Sequence, residues 1–143
     1  MTNPYRVDVS LSTEFLSIPS LAHVITDSHF AERDRMGRLI TFLARLNKET
    51  TTPHMMGIGI DEATALTLGP QGAGQVYGQG AVYIITADTQ AQTCEADAPL
   101  SYEALQIKRY VAGDEIGSLT EIRPQNSYEI DVVAGALTPS NPY

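Results

Sequence analysis

Apolar residues recur along the chain at two different spacings, and each spacing predicts a different kind of element. Within residues 31–48 they return every three or four positions, at Met36, Leu39, Ile40, Leu43 and Leu46. Residues at these spacings share one face of a helix, so the pattern predicts an amphipathic helix over 31–48. Three threonines and Pro53 follow, and they end the helix because β-branched residues and proline disfavour its continuation.

Shorter apolar runs predict strands on both sides of this helix. The first covers residues 21–26 and ends at Asp27, and the second covers 56–60 and leads into Asp61 and Glu62. Further strands are predicted at 63–68, 75–77, 81–86 and 105–111. Residues 1–20 are expected to be irregular, with room for one helical turn at 13–17. A loop is expected at 88–99 and a turn-like end from 138 onward.

The order of these elements predicts the fold class. Strand, helix and strand form a βαβ unit, whose two strands are parallel and whose crossover is right-handed. The mostly antiparallel strands that follow extend its edge. A sheet begun in this way is normally covered by helices on both faces, but the chain offers one good helix. Residues 1–143 are therefore interpreted as a single α/β domain that is incomplete, and another segment or chain is expected to complete the sheet.

Composition narrows the functional classes. The chain has 17 acidic and 9 basic residues and a formal charge of -8, which argues against a nucleic-acid partner. The single cysteine, Cys94, cannot form an internal disulfide or a cysteine-rich zinc site, so it is interpreted as structural. Neither a membrane-spanning run nor the pattern of a signal peptide is present. A soluble protein is expected, in the cytoplasm or, for a longer parent protein, outside the cell.

Candidate chemistry follows the first two strands. Asp27, Ser28 and His29 come after one strand, and Asp61 and Glu62 come after the other. Because parallel neighbouring strands end at the same edge of a sheet, His29 is expected to meet one of the two acids. An imidazole beside a carboxylate is the core of general base catalysis. The alternative is a histidine that only caps a strand or helix end.

Two segments around these residues resemble the cyanophycinase family of serine peptidases, which is related to the aspartyl dipeptidases. Residues 26–39 resemble the family's Asp-Gln-His-Phe motif, which is followed by spaced arginines and Gly-Arg-Leu. Residues 57–65 resemble its Gly-Ile-Gly-Ile-Asp-Glu-x-Thr-Ala motif. The resemblance implies the C-terminal portion of a class I glutamine amidotransferase-like, flavodoxin-like sandwich. The resemblance is concentrated in residues 21–68 and is weak after them.

The resemblance also implies residue roles and a substrate class. His29 matches the family's catalytic base and Glu62 matches the acid that orients it. The positions expected near the substrate are Asp27, Ser28, Arg33, Arg35 and Arg38. Family members cleave β-aspartyl-arginine units or N-terminal aspartyl peptides, and an arginine suits such substrates because its fork binds a carboxylate through two hydrogen bonds. Without the motif, the arginines would be interpreted as a solvated helix face.

The chain departs from the family pattern in two ways. Ser28 stands where the family has glutamine, which puts the substrate preference in doubt. The nucleophilic serine, which the family carries in a Gly-x-Ser-Ala-Gly-like elbow upstream, has no counterpart here. Ser28 is next to the expected base, His29, but neighbours on a strand point to opposite faces, and Gly117-Ser118 lacks the second glycine, so neither serine is favoured as the nucleophile.

The leading hypothesis is therefore the C-terminal part of a cyanophycinase-like serine peptidase. Its expected partners are a peptide substrate and a serine-bearing portion or companion chain, in an oligomeric assembly without a cofactor. The first alternative is a binding domain that has lost the nucleophile. A weaker one is a metal-assisted hydrolase using Asp27, His29 and Glu32, but neither His23 nor His54 has useful spacing. The glycine-rich stretch 69–80 is flanked by strands, which favours hairpin turns over a phosphate-binding loop.

Overall fold

The computed structural model describes residues 1–12, 18–50, 55–117, 119 and 127–143. A 3-10 turn at Pro19–Leu21 precedes the first strand. The elements in the described part of the chain are β1 (Val24–Ser28), α1 (Met36–Glu49), β2 (Met56–Ile60), β3 (Thr64–Leu68), β4 (Gly74–Gly78), β5 (Ala81–Thr86), β6 (Tyr102–Val111), β7 (Glu115–Ile116), β8 (Tyr128–Val133) and β9 (Ala136–Thr138).

The strands of the described residues form two sheets. The larger has six strands in the order β1-β2-β5-β6-β8-β9, and the smaller has three in the order β3-β4-β7. β1 and β2 are parallel and are joined through α1, whereas every other pairing between the strands is antiparallel. This confirms the predicted fold class, one βαβ unit followed by mostly antiparallel strands.

The larger sheet has a different cover on each face. α1 packs on one face, where Gly57 and Gly59 of β2 let Leu39 and Phe30 approach the backbone closely. On the other face, Met56, Ile58 and residues of β5 pack with the small sheet in a second apolar cluster. Helices normally cover both faces of such a sheet, but here a three-stranded sheet packs on the second face. The outer edge of β1 is open, because among the described residues β1 pairs with β2 alone.

Several predicted boundaries differ from the structure. α1 begins at Met36, not at residue 31, because the chain first makes turns in which Asp34 has a left-handed φ of +48°. β1 begins at Val24, since the residues before it form the 3-10 turn. The strands β7, β8 and β9 were not predicted, although β8 has alternating burial. The helical turn at 13–17 lies outside the described residues. No helix in the described part of the chain has the length and apolar character needed to cross a bilayer.

Candidate functional site

The turns after β1 and β2 carry the candidate catalytic residues. The two strands run parallel with Ser28 opposite Ile60, so the chain leaves both at the same edge of the sheet. His29 then adopts a left-handed φ of +50°, which histidine tolerates better than most residues, and this turns the chain out of the strand. Ala63 does the same after β2, with φ +51°. The imidazole and the carboxylate are thus presented by neighbouring tight turns.

His29 and Glu62 face each other across this edge. His29 Nδ1 lies 3.9 Å from Glu62 Oε2, and the two side chains are 40% and 63% exposed. This separation is longer than a hydrogen bond. Because both side chains are partly solvated, a movement of about 1 Å would close the contact, as occurs when many enzymes bind substrate. The expectation that His29 approaches one of the two acids therefore resolves to Glu62.

Asp61 binds backbone groups, whereas its neighbour Glu62 faces His29. It is 8% exposed, and its two oxygens accept the Ala31 and Ala81 N–H groups at 3.0 Å and 2.9 Å. A buried carboxylate needs such partners, because an unpaired charge away from water is costly. Asp61 thereby joins the turn after β1 to β5, which stabilises the scaffold beneath the pair.

Asp27 organises the arginines. Its side chain is 7% exposed and accepts hydrogen bonds from Arg35 Nη1 at 3.1 Å, from Arg38 Nε at 2.9 Å and also from Arg38 Nη2. Arg35 donates a further bond to the Ser28 carbonyl at 2.6 Å. We call Asp27, Arg35 and Arg38 the arginine cluster. Its carboxylate is saturated by two guanidinium groups, so it holds the arginines in place.

The residues that the sequence predicts near the substrate differ in their exposure to solvent. Arg35 is 17% exposed and Arg38 is 44% exposed, so Arg38 is the more accessible cation. Arg33 is exposed, and within the described part of the chain its guanidinium has no ion-pair partner. Ser28 is exposed and contributes its carbonyl to the cluster. A cleft of about 460 Å³ lies beside Arg38, between residues 1–9 and α1.

Tyr143 supports the start of α1, a role that sequence reasoning missed. Its hydroxyl accepts the Met36 N–H at 2.9 Å and donates to Asp34 at 3.0 Å. Its ring packs edge-on against Phe30, with the ring centroids 5.9 Å apart. Burial raises the pKa of the Tyr143 hydroxyl above its ordinary value. No local pattern could have revealed this contact, because 107 positions separate Tyr143 from Met36.

The described residues also bear on a metal site and on an apolar cavity. Among the described residues, no three His, Cys, Asp or Glu side chains lie close enough together to hold a metal ion. His54 and Ser118, which the sequence raised as candidates, lie outside those residues. An apolar cavity of about 360 Å³ is found at the opposite end of β1, lined by residues such as His23, Met55 and Leu119. It is remote from His29 and Glu62, so we attach no catalytic role to it.

Fold and site together define an α/β domain that carries a histidine–carboxylate pair and an arginine cluster at one sheet edge. No protein-family model matches the chain. Among curated proteins it is 36% identical over 115 residues to the cyanophycinases of Trichormus variabilis and of a Nostoc species. It is 30% identical over 122 residues to the cyanophycinase of Geminocystis herdmanii.

The matched regions cover most of this chain but a minor part of each relative. They amount to 78% of the chain and 36% of the relative for the first two proteins, and to 82% and 42% for the third. The chain is thus related to the cyanophycinase family, as the motifs indicated, and the matched region is less than half the length of these relatives.

Proposed function

We propose that this chain supplies the base, the orienting acid and the arginine-lined wall of a cyanophycinase-like serine hydrolase. The observation that carries the proposal is the approach of His29 Nδ1 to Glu62 Oε2, at 3.9 Å. The relationship to curated cyanophycinases supports a peptidase-like function. The substrate class proposed is β-aspartyl-arginine units or N-terminal aspartyl peptides.

The proposed reaction is acyl transfer. A serine from another segment or chain attacks the scissile carbonyl while His29 takes the hydroxyl proton through Nε2, the ring nitrogen on the far side from Glu62. The carboxylate of Glu62 holds the Nδ1–H tautomer and stabilises the imidazolium. His29 then returns the proton to the leaving amine, and water repeats the cycle on the acyl-enzyme.

The arginine cluster is proposed to bind a substrate carboxylate. Arg38 is the exposed member, and Asp27 fixes its guanidinium through two hydrogen bonds. A guanidinium held in this way loses little further freedom on binding, which favours bidentate recognition of a carboxylate. In this proposal Asp27 and Arg35 orient Arg38, whereas Arg33 and Ser28 line the approach.

The serine-bearing portion is proposed to pair with the open edge of β1. A strand added there parallel to β1 would end beside His29, since β1 runs toward that residue. The relatives are long enough to contain such a portion, because the region matched by this chain is 36% of each of the first two. The resulting assembly is a completed sheet, formed within a longer chain or between two chains.

The test begins with the isolated chain. We expect it to neither hydrolyse β-aspartyl-arginine nor react with a serine-directed organophosphonate, and stoichiometric labelling of the chain alone would overturn the proposal. The native assembly is then purified, its intact mass measured and any companion chain sequenced. That assembly should hydrolyse the dipeptide.

Matched variants of the native assembly assign the roles. His29→Ala should lower kcat by about 10²-fold or more, because proton transfer by a positioned base contributes about that much. His23→Ala, at an exposed histidine on the other end of β1, is the control and should leave kcat unchanged. Equal rates in the two variants would remove His29 from the mechanism.

A binding domain without catalysis is the second candidate. It is favoured by a difference within the site: Asp27 is hydrogen-bonded to both Arg35 and Arg38, whereas His29 and Glu62 are not in hydrogen-bond contact. In that case the chain alone should bind β-aspartyl-arginine in a calorimeter, and Arg38→Met should abolish binding. The native assembly would then show no hydrolysis.

A further inference from the structure

Three hydrogen bonds join the turn after β1 to the turn after β2. They run from Phe30 N–H to the Ile60 carbonyl at 3.2 Å, from Ala31 N–H to Asp61 Oδ1 at 3.0 Å and from Glu62 N–H to Glu32 Oε1 at 3.1 Å. The first joins backbone to backbone, and the other two end on carboxylate oxygens. The third differs in direction, because in it the turn after β2 is the donor and the segment after β1 accepts.

The third bond acts on the residue that faces His29. Glu62 follows β2 and precedes Ala63, whose φ of +51° is a left-handed conformation that costs energy for alanine. Such a turn keeps its shape only when surrounding contacts hold it. Asp61 is held through its buried carboxylate, but the Glu62 side chain is 63% exposed. The backbone on either side is held by the Thr64 hydroxyl, which donates to the Glu62 carbonyl at 3.0 Å, and by the Gln79 N–H, which donates to the Ala63 carbonyl at 3.1 Å. The Glu62 N–H itself donates to Glu32.

We propose that Glu32 is a positioning residue that acts through Glu62, an inference that rests on the proposed function. Its carboxylate accepts the Glu62 N–H, and a charged acceptor makes such a bond stronger than a neutral one. Fixing that N–H fixes the direction in which the Glu62 side chain leaves the turn toward His29. Glu32 lies three positions after His29, so the same short segment carries the base and holds the acid.

The bond itself can be tested without substrate. Amide exchange of Glu62 is measured by NMR in the wild-type chain, Glu32→Ala, Glu32→Gln and Glu95→Ala. Loss of the acceptor should speed exchange about two- to tenfold in Glu32→Ala. Glu32→Gln keeps a carbonyl acceptor and should lie near wild type, and Glu95→Ala removes an exposed charge elsewhere and should change nothing. Unchanged Glu62 exchange in Glu32→Ala would overturn the proposal, whatever the enzyme does.

Kinetics of the native assembly test the action through Glu62. Glu32→Ala should lower kcat about two- to tenfold with little change in KM, and Glu32→Gln should restore most of the rate. In a Glu62→Gln background, Glu32→Ala should cause no further loss. An equal loss in both backgrounds would show that Glu32 acts independently and would overturn the inference. Absence of hydrolysis in every assembly defeats the proposed function, while the exchange result still decides whether Glu32 holds Glu62.

Discussion

The two halves of the candidate site, the arginine cluster and the His29–Glu62 pair, differ in burial and in hydrogen bonding. In the arginine cluster, a carboxylate that is 7% exposed is bound by two arginines at 2.9–3.1 Å. In the His29–Glu62 pair, the partners are 40% and 63% exposed and stand 3.9 Å apart. The cluster lies between β1 and α1, which both belong to this chain, whereas the pair lies at the rim. The contrast teaches that the half enclosed between the chain's own elements is closely hydrogen-bonded, whereas the half at the rim is solvated and not in hydrogen-bond contact.

Breaking the support shared by both halves should have the largest effect. A side chain at Gly59 would place its Cβ 2.5 Å from the ring of Phe30, which is fully buried next to His29. The buried ring or the strand must shift to make room, so Gly59→Ala should lower the free energy of unfolding by about 3 kcal/mol, the upper end for overpacked cores.

Urea unfolding followed by circular dichroism checks this value. Gly117→Ala is the control, because a Cβ there meets nothing within 4 Å. We expect almost no change for the control. Similar losses in the two variants would contradict the claim that Phe30 requires a bare backbone at Gly59.

Removing one carboxylate from each half should give unequal losses of stability. Asp27→Ala leaves the guanidinium of Arg35, only 17% exposed, without its carboxylate. It should cost about 1–3 kcal/mol, less than a fully buried pair because Arg38 is half-exposed. Glu62→Ala should cost less than about 0.5 kcal/mol, as exposed side chains do. The same unfolding experiment measures both, and equal costs would remove the contrast between the halves.

Within the arginine cluster, the two cations should respond differently to replacement by lysine. Lysine keeps the charge but loses the planar fork. Arg35→Lys should cost about 1 kcal/mol because the shorter lysine side chain does not reach the half-buried position of Nη1, which donates both to Asp27 and to the Ser28 carbonyl. Arg38→Lys should cost about half as much or less, since solvent replaces its lost bond. The reverse order of unfolding free energies would show that Arg38, not Arg35, supports the cluster.

Alkaline pH should lower the free energy of unfolding through Tyr128, and this is the smallest of the expected effects. Burial raises the pKa of Tyr128, whose hydroxyl donates to the Pro142 carbonyl next to Tyr143, to about 12 from an ordinary 10.0. The folded state therefore holds this proton more tightly than the unfolded one. The stabilisation is complete below pH 10 and is lost as the pH rises toward 12. Tyr128→Phe should flatten this decline in pH-dependent unfolding, and an unchanged slope would contradict it.

Local sequence patterns predicted much of the architecture. The apolar stripe that begins at Met36 and the runs that became β1, β2 and β5 were recognisable because burial on one face imposes a spacing on the chain itself. The start of α1 was predicted five residues too early, since the left-handed turn at Asp34 breaks no apolar pattern. The strand β7 was missed because two residues are too few to show a period.

The sequence by itself determined that a histidine and two acids follow two parallel strands, because the order of elements in a βαβ unit brings those strand ends to one edge. Only the tertiary structure decided which acid faces His29, since Asp61 and Glu62 are adjacent, and the carboxylate of Asp61 is buried against the Ala31 and Ala81 N–H groups while that of Glu62 is exposed. It also decided that Asp27 binds Arg35 and Arg38 and that Tyr143 reaches Met36. These contacts depend on where distant segments meet, and no local spacing encodes that.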